Sequence, residues 1–443
     1  MRSRFGTRLA AAVIAGAAVA VRWLFVDFAS GDYRTFLSHW WAFLATHGHL
    51  AALRDDAFSN YNTPYLALLA LATYLPVPAL VAIKAISVLG DLLLAIAGSR
   101  IVGHLRPASA WAPVAAFGIV LFLPTVVMNS GVWAQCDSLY AAACLGSVLF
   151  LIRGRAGAAS AWFGVAFAFK LQAVFLLPVL VTVVVVNRHR VRSLLAAPVT
   201  FLACLVPALL AGRSLVSQLM VYPLQITDPS GIGGTVGGRP APGGPPPGAG
   251  GAPGTGGPGA SGFTLNDGQS FTHNAPTPYA WLPPDASVAW KWAGLAVTAL
   301  VIIGFGAWLL ARRRPLDAGA VLLVAATSTL LVPLLLPEMH ERYFYLAEVL
   351  LALAGFVDWR WAGPAAGIQF ASTTTYLSYL LDHSVFPLRV AAVVALAAGL
   401  GAAALLVLAL RSGQTDRRGS LSTHGRSGDQ SRVESGHGDQ HQK

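Results

Sequence analysis

Charge is what this chain has least of. Of its 443 residues only 11% are Asp, Glu, Lys or Arg, against about a quarter in a soluble domain of ordinary composition. Apolar residues make up 55% and fall in blocks of about twenty, the length that crosses a hydrocarbon layer about 30 Å thick. This shortage excludes a water-soluble globular protein and identifies an integral membrane protein with many spans. Cysteine is scarce as well. Cys136, Cys144 and Cys204 lie in or beside apolar runs without CxxC spacing, which argues against a disulfide framework or a cysteine zinc site and leaves the compartment open. A concentrated basic face is also missing. The net charge of +11 comes from Arg and Lys dispersed at the ends of apolar blocks and in the last residues, a topology signal rather than a nucleic-acid surface.

The few charges order the spans. A basic start, MRSR, precedes an apolar block from Leu9 to Phe28 with no small-x-small cleavage site, so it reads as a signal anchor with a cytoplasmic N-terminus. Counting positive residues to the inside then places further spans at about 79–102, 111–130, from 137 onward, 158–169, 171–186, 194–211, 288–311 and 317–336, with three more filling 343–410. The expectation is an all-α polytopic domain over 1–410, with about twelve transmembrane helices and both termini cytoplasmic. The first extracytoplasmic loop, 29–77, contains PYLALLALATYLPV, too short to cross and read as an interfacial or re-entrant helix. The loop 212–287 holds a stretch, 231–262, so rich in Gly and Pro that no core can form from it. The polar tail, 411–443, is expected to be disordered. No internal repeat stands out, which disfavours inverted-repeat transporters.

Ionisable residues that are neither inside-loop markers nor tail converge on the outer side of this map. Asp32, in SGDYR, is a carboxylate at the bilayer edge suited to act as general base toward a hydroxyl; alternatively it pairs with Arg34 or caps a helix starting at Tyr33. Asp137, in WAQCDSLY, is a second site acid or the N-cap of the next span. Asp55 and Asp56 read as a solvated loop. Lys170, in FAFKLQ, is a lone cation in apolar sequence far from the inside arginines, where burial without function is uncommon. Arg342 offers a planar fork for phosphate oxygens. Asp267, His273, Glu338, His340 and Glu341 fall on the same side. The adjacent His340 and Glu341 suggest a zinc helix, but that pattern needs a histidine at 344, where the chain has Phe344. No metal site is expected there.

In this order, SGDYRTFLSHW, YNTPYLALL, WAQCDSLY, FAFKLQAVFLLP, HNAPTPYAWL and PEMHERYFYLAEVL resemble the motif series of the polytopic GT-C glycosyltransferases, over about residues 30 to 350. The likeness is to bacterial relatives of the GPI-anchor second mannosyltransferase. The series is also similar to that of the endoplasmic reticulum glucosyltransferases that extend lipid-linked oligosaccharide. The resemblance implies inverting transfer of a hexose, mannose first, from a polyprenyl-phosphate sugar to a lipid, glycan or protein acceptor at the extracytoplasmic face of the plasma membrane. By the same resemblance Asp32 is the general base and Asp137 orients acceptor or donor. Lys170 with Gln172, His340 with Arg342, and Arg34 would face the donor phosphate. Glu341 would fix Arg342 or contact sugar hydroxyls, and Asn274 to Trp281 would close over the site. Glu338 has no role in this scheme. WAQCDSLY departs from the pattern at Ala134, where Gly is expected, and the Gly/Pro insert is peculiar to this chain. Some GT-C enzymes use a divalent metal and others do not; no carboxylate cluster here demands one. Two other readings remain: a polyprenyl-linked sugar flippase or transporter, whose ionisable groups should gather near the midplane, and a lipid-linked glycan ligase, which would need the first-loop acid less.

Overall fold

The computed structural model describes residues 2–227, 271–283 and 285–430. The expected Gly/Pro-rich stretch 231–262, Asp267 and the part of the expected tail beyond 430 lie outside them. The described chain is overwhelmingly helical. Helix α1 is Arg2–Trp23, α2 Ser38–Thr46, α3 Thr63–Ala72 and α4 Ala79–Leu105. Helices α5, Ala112–Phe122, and α6, Pro124–Val132, meet at a 56° bend. Helix α7 is Asp137–Ile152, α8 Ala156–Phe169, α9 Leu177–Val186 and α10 Val191–Ala211. Two short turns, α11 (Leu215–Leu219) and α12 (Val221–Thr227), follow. Beyond residue 270 come α13 (Ala289–Ala311), α14 (Ala318–Leu335), α15 (Tyr345–Ala354), α16 (Ala362–Leu380) and α17 (Leu388–Gln430). Six of these are long and apolar enough to cross a membrane, or seven if α5 and α6 count as one broken span. The helical architecture read from composition is what the described residues adopt, and their apolar helices suggest a membrane protein, with six or seven candidate spans where about twelve were expected.

Local chemistry sets the breaks. Leu123 is extended (φ −55°, ψ 127°) immediately before Pro124, as the proline ring requires of its predecessor, and this bend frees the carbonyl of Leu121. Arg22 takes it: Nη2 donates to Leu121 O at 2.9 Å, while Nε donates to Asp91 at 2.7 Å and to the Ser130 hydroxyl at 3.1 Å. One buried guanidinium thereby ties α1, α4, α5 and α6 together, with its charge matched in place. Asn62 caps α3 by accepting from Thr63 N, with a proline in the first turn, and Asp317 caps α14 through Ala320 N.

Cross-chain hydrogen bonds sort the helix ends into two faces. At one end Arg106 donates to Phe356 O (2.6 Å), Asn187 exchanges two bonds with the Leu316 backbone, and Arg312 donates to Leu410 O (2.6 Å). The basic turns gather there. At the other end the loop after α1, the residues before α7, the α8–α9 junction, the loop after α14 and the end of α16 come together around a set of charges. Two π-helical turns, Tyr33–Leu37 and Met128–Val132, lead out of and into this region; such turns are frequent at functional sites. A second, smaller hydrophobic core, built on Leu37, Leu44, Leu53, Tyr65, Leu66 and Leu69, packs the 33–72 segment against Ile83, Leu139 and Ala208. That segment is therefore a folded layer over the helix ends.

Candidate active site

Asp32 is the hub, with 4% of its surface exposed. It caps nothing and does not pair with Arg34, which is exposed. Its Oδ2 accepts from Trp133 Nε1 (3.0 Å), Gln135 Nε2 (2.5 Å) and Arg342 Nη1 (3.1 Å), and its Oδ1 accepts from Tyr379 OH (2.5 Å). Four donors from three distant segments hold one carboxylate. Arg342 also lies over the Trp133 ring at 5.2 Å, and Trp133 stacks on Tyr379 at 4.3 Å. Oδ2 thus takes three of these donors and Oδ1 one.

Asp137 opens α7 without capping it. Its Oδ1 pairs with the Lys170 ammonium, and its Oδ2 accepts from Asn129 Nδ2 at 2.8 Å. Lys170 reaches it because residue 170 is extended (φ −158°, ψ 139°) between α8 and the following turn. Its ammonium also lies 5.9 Å from the Tyr61 ring centre. Close packing lets α7 approach α4 at Gly90, where any β-carbon would collide with Ser138; Ser138 instead donates to Ser87 O at 3.0 Å.

The loop 337–344 completes the wall. Glu338 pairs with Lys291, both buried, and Glu338 N donates to Phe271 O at 2.8 Å. A short parallel ladder joins β1 (Thr272–His273) to β2 (Met339–His340), and the rings of His273 and His340 stack at 4.7 Å. Asn274 donates to Thr375 O (2.8 Å) and Tyr279 to Leu335 O (2.6 Å). The 271–281 segment thus lies between the 335–342 loop and α16. Glu341 Oε1, Arg342 Nε, Gln172 Oε1 and Asn129 Oδ1 are buried without partners. Burial pushes the Glu341 carboxyl up to about 7, against the pull of Arg342. A rise from the ordinary 4.5 corresponds to about 3 kcal/mol at about 1.4 kcal/mol per unit. Because the folded value lies above the unfolded one, this contribution is full below about pH 4.5 and is lost as pH rises through about 7. Glu341→Gln should therefore flatten the melting temperature of the purified protein between about pH 5 and pH 7; an unchanged slope would rule Glu341 out as its source.

Ala134 sits at φ +66°, in the left-handed region that costs an L-residue about 1–2 kcal/mol. This is the position where the motif is expected to carry Gly, and the turn explains the expectation: it lets Trp133 and Gln135 both face Asp32. Glycine's unfolded-state entropy returns about 0.5–1 kcal/mol of the strain. Ala134→Gly should raise stability by about 0.5–1 kcal/mol, read as a higher melting temperature; a lower one would show the strain is already relieved.

The expected residues Asp32, Asp137, Lys170, Gln172, His340, Glu341 and Arg342 all lie at this end of the helices, and Arg34 stands apart. Trp133, Gln135, Asn129 and Tyr379 were not anticipated, and neither was Lys291, the partner of the unassigned Glu338. Lys291 carries the same signal as Lys170, a lone cation in apolar sequence. Among the described residues, no group of three or more His, Cys, Asp or Glu could hold a metal ion. No curated protein matches the chain. Residues 58–226, the part of the chain from the Tyr61 loop to α12, match the model of glycosyltransferase family 87, and this likeness, with the apolar helices, supports a membrane glycosyltransferase.

Proposed function

We propose that the chain is an inverting GT-C-type transferase that moves a hexose, mannose first, from a polyprenyl-phosphate sugar to a lipid, glycan or protein acceptor. In this reading it crosses the plasma membrane about twelve times, with the site extracytoplasmic and both termini in the cytoplasm. The observation that carries it is Asp32, a buried carboxylate held by four donors beside the Lys170–Asp137 pair.

In the reaction, Oδ1 of Asp32 takes the proton of the acceptor hydroxyl as that oxygen attacks the anomeric carbon. The bond from the anomeric carbon to the phosphate oxygen breaks, and its electron pair leaves with the polyprenyl phosphate. Lys170, Arg342 and His340 balance the growing phosphate charge, which matters most in a site closed to water. Asp137 holds the Lys170 ammonium at its place and helps orient donor or acceptor. Apart from the Arg22–Asp91 pair, which reaches the middle of α4, the site's charges gather at one end of the helices, and this favours transfer over transport of the lipid-linked sugar. Incubating membranes that contain the protein with labelled polyprenyl-phosphate mannose and endogenous acceptors should give a labelled product of inverted anomeric configuration. Glycolipids and envelope glycans of a strain lacking the protein should lack one sugar residue. An unaltered glycan profile together with no labelled product would overturn the proposal.

A further inference from the structure

Lys84 is a buried cation that the reaction above leaves unused. It lies near the start of α4 with 4% of its surface exposed, and among the described residues no carboxylate stands within ion-pair distance of it. Its partners are backbone groups. The ammonium donates to the carbonyls of Phe25, Val26 (3.3 Å) and Phe28 (2.8 Å). Three acceptors match its three N–H groups and leave none for a phosphate oxygen, which sets Lys84 apart from Lys170. A cation buried in an apolar helix is costly, and this one serves a single turn of chain.

That turn is the link between α1 and the base. Helix α1 ends at Trp23, where carbonyls run out of intrahelical donors and the helix dipole is negative; both draw an ammonium. The Phe25 and Phe28 side chains are exposed, so Lys84 holds the turn by its backbone from the inner side. The tether continues toward Asp32. The Ser30 hydroxyl donates to Trp133 O (2.8 Å) and accepts from Tyr33 N (3.2 Å), while Trp133 Nε1 donates to Asp32. The chain from 22 to 33 is thus fastened at Arg22, at the 25–28 turn and at Ser30. The first two fastenings are to Asp91 and Lys84, whose i, i+7 spacing puts them on one face of α4. Asp32 must meet Trp133, Gln135, Arg342 and Tyr379 together, and a shift of its backbone would spoil all four contacts at once.

Resting on the transferase reading above, we propose that Lys84 is a positioning residue for the base: by seating the 25–28 turn on α4 it places the Asp32 carboxylate among its four donors and within reach of the acceptor hydroxyl. It acts through Asp32 and touches neither substrate.

The test compares Lys84→Met in two backgrounds. Full-length protein in membranes is given labelled decaprenyl-phosphate mannose or glucose with endogenous acceptors, and rates are taken per folded molecule. In the wild-type background Lys84→Met should lower kcat about tenfold to a hundredfold, the scale of loss when a reacting group moves by about 1 Å, with KM for the donor unchanged. In the Asp32→Asn background it should lower kcat no further, because the group it places is already gone. Lys84→Arg, which keeps the charge and the donors, should recover part of the wild-type rate. Where Lys84→Met does not accumulate, Lys84→Gln, which keeps an amide donor for the turn, should give a smaller loss in the same pattern. Hydrogen exchange in nanodiscs supplies a second readout: the amides of 24–34 should exchange faster in the variant, while α14 and α15 keep their wild-type protection. A merely structural lysine would lower kcat by the same factor in both backgrounds or speed exchange throughout. Either result, or an unchanged kcat in the wild-type background, overturns the positioning role and leaves the transferase reading in place. If wild type transfers sugar from neither donor, the transferase reading fails and the role of Lys84 with it.

Discussion

Asp32→Asn protein, accumulated to the wild-type level in membranes, should transfer sugar about 10²- to 10⁴-fold more slowly than wild type, the range a positioned general base contributes. The geometry makes the loss specific. Four donors converge on the two oxygens of Asp32, so an amide nitrogen would turn its own N–H groups toward a donor and leave Arg342 without its counter-charge. The variant is therefore also expected to be less stable, and the activity must be normalised to folded protein by a melting curve. Asp32→Glu keeps the charge but displaces it by one methylene inside a buried network, and it should retain a measurable fraction of transfer. If Asp32→Asn is as active as wild type per folded molecule, Asp32 is not the base and the proposed chemistry falls.

Much of the architecture could be read from the chain because its signals are local. The long apolar runs gave helices where they were expected, α4, α10, α13 and α14 among them, since a continuous apolar stretch satisfies its backbone only as a helix in lipid. Lys170 stood out for a related reason: a cation in apolar surroundings needs a partner, whatever that partner is. The same rule applied evenly would also have singled out Arg22, Asp91, Lys291 and Glu348, all buried. Arg22 closes the carbonyl freed by the bend at Leu123.

The pairings themselves were not legible. Nothing in the spacing of 310 residues says that Arg342 meets Asp32, or that Glu338 meets Lys291 across 47, because such partners are set by tertiary packing. Neutral site residues were harder still. Trp133, Gln135 and Tyr379 are individually unremarkable in sequence, and only burial combined with hydrogen-bond accounting separates them from ordinary core and loop residues. Ala134 shows the opposite case. The motif pointed to glycine, and the positive φ explains why glycine would suit the turn.

Lys170→Met should cost about 3–5 kcal/mol of stability, because it leaves Asp137 as a buried carboxylate whose remaining partner is the Asn129 amide. Pairing it with Asp137→Asn removes the stranded charge, and the double variant should recover most of the lost melting temperature, since a buried ion pair and a neutral replacement of similar volume differ little in net stability. Activity should not follow. If the ammonium stabilises charge on the departing phosphate, the double variant remains defective however well it folds, with the loss falling on kcat rather than on accumulation of protein. A structural pair predicts the reverse, with transfer returning alongside stability. Measuring both quantities on wild type, the two single variants and the double variant therefore separates holding the fold together from holding the leaving group, which the buried ion pair alone cannot do.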